Sequence, residues 1–322
     1  MIFSLFNGKS WPIGVDMGSE YIKMLQLSRD DNGFSIVAAA LEQKAGDIEA
    51  FSSHWQHWAI KSVKQMASEG KFKGRKVVTA MPACDVFIDQ VKLPKLPDDK
   101  IREAVISKIA AKLPFDPATA LVYYVCTSAG VESEYLVMAS DRMKVDHHMA
   151  IYERAGLEVE AIATWPLAMV WSYANFFGRR KNDLESTVML LEIGANFTKV
   201  VICKHSNLLF ARLLNVGVLG LKDEHAIKHM IEELAACARY FETQKGGRVE
   251  RMIFLTSQST DKVLCNSVVQ LARDLQVPAQ IGDVLAAIAV NEPGTSEQGL
   301  ERRGNTLNWS AAVGLSLFNN SK

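Results

Sequence analysis

The sequence lacks any surplus of charge: 36 Lys and Arg residues are matched by 36 Asp and Glu. A chain so balanced has no general attraction for nucleic acid, whose phosphates are gripped by an excess of cations. It also lacks a long apolar run, since no stretch approaches the roughly 18 apolar residues of a membrane-spanning helix. The start, Met1–Pro12, is apolar at first but has neither the positive leading region nor the core of an export signal, so a protein that is not exported is expected. Cysteine is sparse: Cys84, Cys126, Cys203, Cys237 and Cys265 make an odd number with no close pair. That spacing gives no disulfide framework and predicts buried free thiols in a reducing cytoplasm. Clusters of metal-ligating residues are missing as well. His147 and His148 are adjacent, so on a helix they point about 100° apart and cannot both face one ion. A surface helix is the expected place for them. What remains is a chain of 322 residues, 48% hydrophobic and 22% charged, with the composition of an ordinary globular protein. It is long enough for two domains.

What the sequence does have is a motif that occurs twice. Near the start it reads Ile13-Gly14-Val15-Asp16-Met17-Gly18-Ser19-Glu20-Tyr21-Ile22-Lys23, and later Leu190-Leu191-Glu192-Ile193-Gly194-Ala195-Asn196-Phe197-Thr198-Lys199. Each copy is an apolar run, an acid, a Gly two residues on and a Lys five after that. The second acid, Gly and Lys each lie 176 residues after the first. An acid and a Gly at a hairpin tip suit a phosphate–metal site. The Gly lets backbone N–H groups approach phosphate oxygens, and the carboxylate can orient a hydrated Mg²⁺. Acid-x-Gly also closes ordinary hairpins, because both residue types are common in turns. The repeated context favours a duplication: each copy is followed by a second strand, a polar turn (Arg29–Gly33; Lys204–Asn207) and a third strand. Later strands, Lys76–Ala80 and Arg251–Thr256, lie beside helical stretches. The pattern predicts an α/β fold of two similar lobes.

Between the copies, 48–66 reads as an amphipathic helix with Phe51, Trp55, Trp58, Ala59, Val63 and Met66 on one face. Val86–Leu93 alternates as a strand. A helix follows Pro97, with Asp98 and Asp99 in its first turn and Ile101, Val105 and Ile109 as its buried stripe. Two more strands, Leu121–Thr127 and Glu134–Ser140, complete a small α+β unit of about 76–140 inserted in the first lobe. Arg142–Ala155 is a helix closed by Gly156, Leu157–Ala163 a strand, and Trp165 opens an apolar helix. Gly178–Asp183 reads as the linker, dividing a first lobe 1–178 from a second lobe 179–322. In the second lobe a long helix from about Asp223 to Thr243 ends at Gly246-Gly247. A strand at Met252–Thr256, a helix around Asp261–Leu275 and a strand near Val277–Ile281 follow. A polar loop, 291–308, precedes a last helix, Trp309–Phe318, expected to pack back on the first lobe.

This order of hairpins, linker and terminal helix resembles the actin/FtsA-like ATPase superfamily. Within it the chain resembles the PilM-type assembly proteins of type IV pili and related secretion machines. The resemblance is most specific in the insertion, at Val77–Pro82, Val91–Leu96 and Ala110–Phe115. It implies a bilobed actin-like fold, a duplicated RNase H-like architecture with a small α+β insertion in the first lobe. It also implies ATP with Mg²⁺ between the lobes, and a cytoplasmic peptide of a single-span inner-membrane protein of the PilN type as partner. Carried over residue by residue, Asp16, Gly18, Ser19 and Lys23 match the first phosphate loop, with Asp16 meeting Mg²⁺ through water. In the second loop Gly194 and Thr198 remain, while Glu192 replaces the usual Asp and Asn196 and Phe197 replace smaller residues. At the adenosine loop the family has glycines where this chain has Thr256, Ser257, Gln258 and Ser259. Side chains there enter space that the ribose and base would use. Any ATP is therefore expected to be bound weakly or not at all, and no catalytic residue is assigned. The expected role is a cytoplasmic scaffold reaching the inner membrane only through its partner, with no nucleic acid and no direct membrane insertion; self-association is left open. The alternative is an active actin-fold ATPase or small-molecule kinase, for which no acid beyond Asp16 and Glu192 offers a general base.

Overall fold

The computed structural model describes residues 10–31, 33–46, 48–128, 132–221, 224–245, 247–256, 262–288 and 307–318. The chain opens with an antiparallel meander, β1 (Ser10–Met17), β2 (Tyr21–Asp30) and β3 (Gly33–Gln43). Helix α1 (Ser53–Glu69) then carries it to β4 (Lys76–Ala80), which lies parallel to β1. The helix starts five residues later than its apolar spacing suggests. The Ser52 hydroxyl caps it by accepting from the Trp55 N–H at 3.2 Å, and Phe51 before it holds φ at 62° and is exposed. Trp55, Ala59, Val63 and Met66 form the buried face.

An excursion follows. Strand β5 (Phe87–Pro94), helix α2 (Asp98–Ile109), β6 (Ala120–Ser128) and β7 (Glu132–Asp141) make a three-stranded antiparallel sheet ordered β5-β7-β6, with α2 packed on it. Strand β4, which opens the expected insertion, belongs to the first large sheet, so the inserted sheet itself begins at Phe87. Helix α3 (Arg142–Arg154) returns to β8 (Glu158–Ala163), parallel to β4. Gly156 closes α3 with φ at 81°, the left-handed conformation that glycine adopts at lowest cost. Helix α4 (Trp165–Phe176) is apolar nearly all round and is the centre of a core shared by both halves.

The expected linker, 178–183, is partly helical. Helix α5 (Lys181–Glu185) begins inside it because the Asp183 carboxylate caps the Arg180 N–H at 3.1 Å and pairs with Arg251 at 2.6 Å. The second half then repeats the first: β9 (Thr187–Ile193), β10 (Thr198–Lys204) and β11 (Asn207–Leu214) form a meander. Helix α6 (Glu224–Lys245), β12 (Arg251–Phe254), α7 (Lys262–Asp274) and β13 (Ala279–Ile281) complete it. The two large sheets have one topology, β3-β2-β1-β4-β8 and β11-β10-β9-β12-β13, with antiparallel meanders and parallel later strands. This is the duplicated α/β fold that the repeated motif predicts. A short helix that the sequence did not reveal, α8 (Val284–Ala287), is capped by Asp283. Most of the expected polar loop, 291–306, lies outside the described residues, and the last helix, α9 (Ser310–Ser316), follows it.

Helix α9 lies between β1 and α4 at backbone contact. The Ser316 hydroxyl donates to the Pro12 carbonyl at 2.8 Å and accepts from the Leu27 N–H at 3.0 Å, stitching it to the first sheet. All five cysteines are free, but only Cys203 and Cys237 are buried. Cys84 and Cys126 are exposed, because each occupies a solvent-facing position in the inserted unit where composition alone suggested an apolar interior.

Candidate functional site

The two acid-x-Gly tips come from equivalent hairpins and have equivalent geometry. In β1–β2 the Gly18 N–H donates to the Tyr21 carbonyl at 2.9 Å, and in β9–β10 the Gly194 N–H donates to the Phe197 carbonyl at 2.9 Å. A Cβ on either glycine would stand 3.2 Å from that same carbonyl oxygen. The Trp55 indole N–H donates to the Ser19 carbonyl at 3.3 Å, bracing the first tip against α1. Gly217 closes over the second tip so tightly that a Cβ there would lie 2.5 Å from the Gly194 and Ala195 carbonyls. Across the gap between the halves, the Asn196 amide donates to the Ser19 hydroxyl at 2.8 Å.

The lysine of each motif has a role that the spacing contains and the sequence reading missed. Asp16 and Lys23 are directly opposite in the β1–β2 register, as are Glu192 and Lys199 in β9–β10. An acid and a lysine seven residues apart around a tight hairpin are cross-strand neighbours. Lys23 reaches Asp16 at 2.9 Å and also donates to the Asn308 carbonyl at 2.6 Å, while Lys199 reaches Glu192 at 3.0 Å. The four side chains are 8 to 15% exposed. Burial pushes the Asp16 carboxyl up, but the ammoniums of Lys23 and of Lys199 outweigh it and hold Asp16 below its ordinary value. Burial opposes charge on Lys199 too, yet Glu192 and then Asp16 keep its pKa raised. Lys199 of the second half therefore feels the carboxylates of both halves, and the cluster is two cations against two anions.

Mg²⁺ fits this donor set poorly. Both carboxylates that could face it are engaged by ammoniums, and binding would require displacing one. The second Glu192 oxygen, Oε2, is buried without a hydrogen-bond partner. No group of three His, Cys, Asp or Glu residues able to hold a metal occurs among the described residues. Of the other expected cofactor residues, Thr198 is fully buried and donates to the Val216 carbonyl at 2.7 Å, so its hydroxyl is committed away from the tips. Thr256 is buried just past β12. Ser257 and Gln258 lie outside the described residues.

Behind Asp16 sits a second buried polar group. The Thr79 hydroxyl of β4 is 3.1 Å from the Val15 carbonyl, 2.6 Å from the Tyr152 hydroxyl and 3.1 Å from His148 Nε2. Helix α3 is a surface helix, as expected, but His148 lies on its inner face and is 4% exposed. Its neighbour His147 is exposed. Burial, partly offset by a hydrogen bond with the Ala80 backbone, pushes His148 down to about 4. A group depressed in the fold takes up a proton first in the unfolded chain. Stability should fall as pH drops from about 6.5 towards 4 and then level, by about 3 kcal/mol in all. Urea denaturation at pH 7 and pH 4.5 checks this. His148→Gln keeps a hydrogen-bonding side chain without titrating, so it should flatten that part of the profile, and an unchanged slope would rule His148 out.

Strand β5 forms one edge of the inserted sheet. Val86 and Leu93 are buried core, and Ile88 is packed against it. Lys92 and Lys95 are exposed, with Lys92 paired to Glu134 at 3.1 Å. β5 pairs only with β7 among the described strands, which leaves its other edge open.

A family model described as type IV pilus assembly protein PilM matches residues 14–231. The chain belongs to the PilM family. The matched span holds both hairpin tips and the whole inserted sheet. Among solved structures, the fold is similar to a PilM–PilN type IV pilus biogenesis complex, with a TM-score of 0.77, 18% identity, and 95% of this chain and 97% of that one covered. It is also similar to the cytoplasmic domain of EpsL, an inner-membrane component of the Vibrio cholerae type II secretion system. There the TM-score is 0.51 and identity 12%, with 95% and 96% of the two chains covered. The ethanolamine utilization protein EutJ from Carboxydothermus hydrogenoformans gives a TM-score of 0.50 and 13% identity, with 96% and 90% covered. No curated protein sequence matches the chain. The PilM-type assignment and the actin-like fold thus agree with the resemblance carried by the hairpins and the insertion. Among the described residues no helix is long and apolar enough to cross a membrane.

Proposed function

We propose that this PilM-family protein is an actin-like scaffold on the cytoplasmic side of a type IV pilus or related machine. It docks the cytoplasmic peptide of a single-span, PilN-like inner-membrane protein and holds no productive nucleotide. The PilM family and the PilM–PilN neighbour support the pilus role and the kind of partner. The observation that carries the scaffold reading is the lysine-neutralised cleft. Asp16 and Glu192 are each matched by a lysine, and Asn196 bridges to Ser19. Binding a polyphosphate there means breaking pairs that already satisfy the site. An extended peptide adding to the open edge of β5 would gain backbone hydrogen bonds, with Lys92 and Lys95 beside it to meet acidic residues.

The test is flotation with vesicles of neutral phosphatidylcholine. The protein alone should stay at the bottom of the gradient, and vesicles carrying the single-span partner should bring it to the top. Charge reversal at Lys92 and Lys95 should weaken flotation more than Asp16→Ala does. Flotation on these neutral vesicles without the partner would overturn the adaptor reading. Phosphate release from Mg-ATP at about one turnover per second or faster, abolished by Asp16→Ala, would replace it with the ATPase reading.

A further inference from the structure

At the end of the sheets away from the hairpin tips, a cavity of about 460 Å³ opens between the two halves. The β2–β3 turn supplies Arg29 and Phe34, the end of α4 supplies Asn175 and Phe176, the segment between the halves supplies Arg179, and the β10–β11 turn supplies His205. Two guanidiniums and an imidazole thus come from three separate places in the chain. Among the described residues that line the cavity there is no carboxylate. Neither Arg29 nor Arg179 makes an ion pair with a described residue, so both guanidiniums are open to an anion. Arg29 is held over the Phe34 ring at 5.2 Å, and Phe34 rests against Phe176 at 5.4 Å, so its guanidinium has a fixed apolar backing. His205 is placed by a turn in which it holds φ at 49°, in the left-handed region.

Unpaired like charges gathered on one cavity repel, and an oxyanion removes that repulsion. Guanidinium forks match phosphate oxygens two at a time, an imidazole adds a third donor, and Asn175 lies beside them as an amide. We propose that this cavity binds a phosphate group, carried either by a soluble phosphorylated compound or by an anionic phospholipid headgroup. Because its donors come from both halves, an occupant ties the β2–β3 turn to the β10–β11 turn, on the far side of each sheet from the tips that face the cleft. The proposal is independent of the pilus reading, which its experiment leaves untouched.

The experiment titrates inorganic phosphate into the full chain by calorimetry, at constant ionic strength set with KCl. Arg29 and Arg179 are exposed, so Arg29→Gln and Arg179→Gln should fold as wild type does, which circular dichroism verifies. Each should weaken phosphate about tenfold, the factor expected for one charge-assisted contact, and the pair together by more. Lys64→Gln, an exposed lysine of α1 remote from the cavity, should leave the affinity unchanged. Affinity within twofold of wild type in the double variant would overturn the proposal, as would an equal loss on Lys64→Gln alone. A second arm separates the sources. Flotation with phosphatidylglycerol vesicles but not phosphatidylcholine, lost in the double variant and competed by phosphate, identifies the headgroup. Phosphate binding without flotation identifies a soluble compound.

Discussion

Gly14→Ala and Gly314→Ala should each destabilise the protein by about 3 kcal/mol or more, at the upper end of what overpacking a core costs. Helix α9 has a glycine contact on each side. A Cβ on Gly14 of β1 would lie 2.0 Å from the Ala312 carbonyl oxygen and 2.4 Å from the Ser316 nitrogen. A Cβ on Gly314 would lie 1.9 Å from the Ala168 carbonyl oxygen of α4. These obstacles are backbone atoms within a packed sandwich, so no side chain can swing aside. The strain must be relieved by moving α9 off the first sheet, which also breaks the two hydrogen bonds of Ser316. Urea denaturation and thermal melting measure the effect. Gly46→Ala, at a position with nothing within 4 Å of an added Cβ, is the matched control and should be nearly silent. Melting temperatures for both core variants within about 2 °C of wild type would show that α9 is not held as tightly as its geometry indicates.

That contact illustrates which parts of the structure can be read from the chain. The meanders were legible because their strands are short apolar runs broken by polar turns, a signal local in sequence. The duplication was legible for the same reason, since a repeated run carries its own register. Contacts between distant segments leave no such trace. Gly14 and Gly314 look like any other glycines until α9, which carries Gly314, is laid between β1 and α4. The hydrogen bond from Asn196 to Ser19 joins residues 177 apart in sequence. The burial of His148 was missed because it was read only against its adjacent His147, whereas Val145, Ile151 and Tyr152 share its buried face and Tyr152 meets the same Thr79. The start of α1 was misplaced because the apolar spacing continues through Phe51, and only the Ser52 cap ends it. In the candidate site, the residue types at the tips were legible. The cross-strand pairing of each acid with its own lysine was present in the seven-residue spacing, but it requires the hairpin register to be seen.

The last expectation follows from that pairing. Lys199→Met should destabilise the protein by about 3–5 kcal/mol, because it leaves buried carboxylates without their cation. Glu192 already has one oxygen without a hydrogen-bond partner, so losing the ammonium strips its remaining compensation. Asp16 keeps Lys23 but loses the second cation that holds its pKa down. The double change Lys199→Met with Glu192→Leu removes charge and counter-charge together, and most of the lost stability should return, as it does when a buried pair is replaced by apolar side chains. Asn196→Ala, which removes only the exposed hydrogen bond to Ser19, should cost about 1 kcal/mol or less. The pH profile has a stated sign. Asp16 is depressed, so its contribution is present above its ordinary value of 3.8 and is lost as pH falls below it. Lys199 is raised above 10.5, so its contribution persists through neutral pH and is lost only in strong alkali. Equilibrium urea denaturation of the four proteins at pH 7 decides the matter. A loss below about 1 kcal/mol in Lys199→Met, or no recovery in the double variant, would mean that Lys199 is solvated and that the cleft is not closed by its own charges.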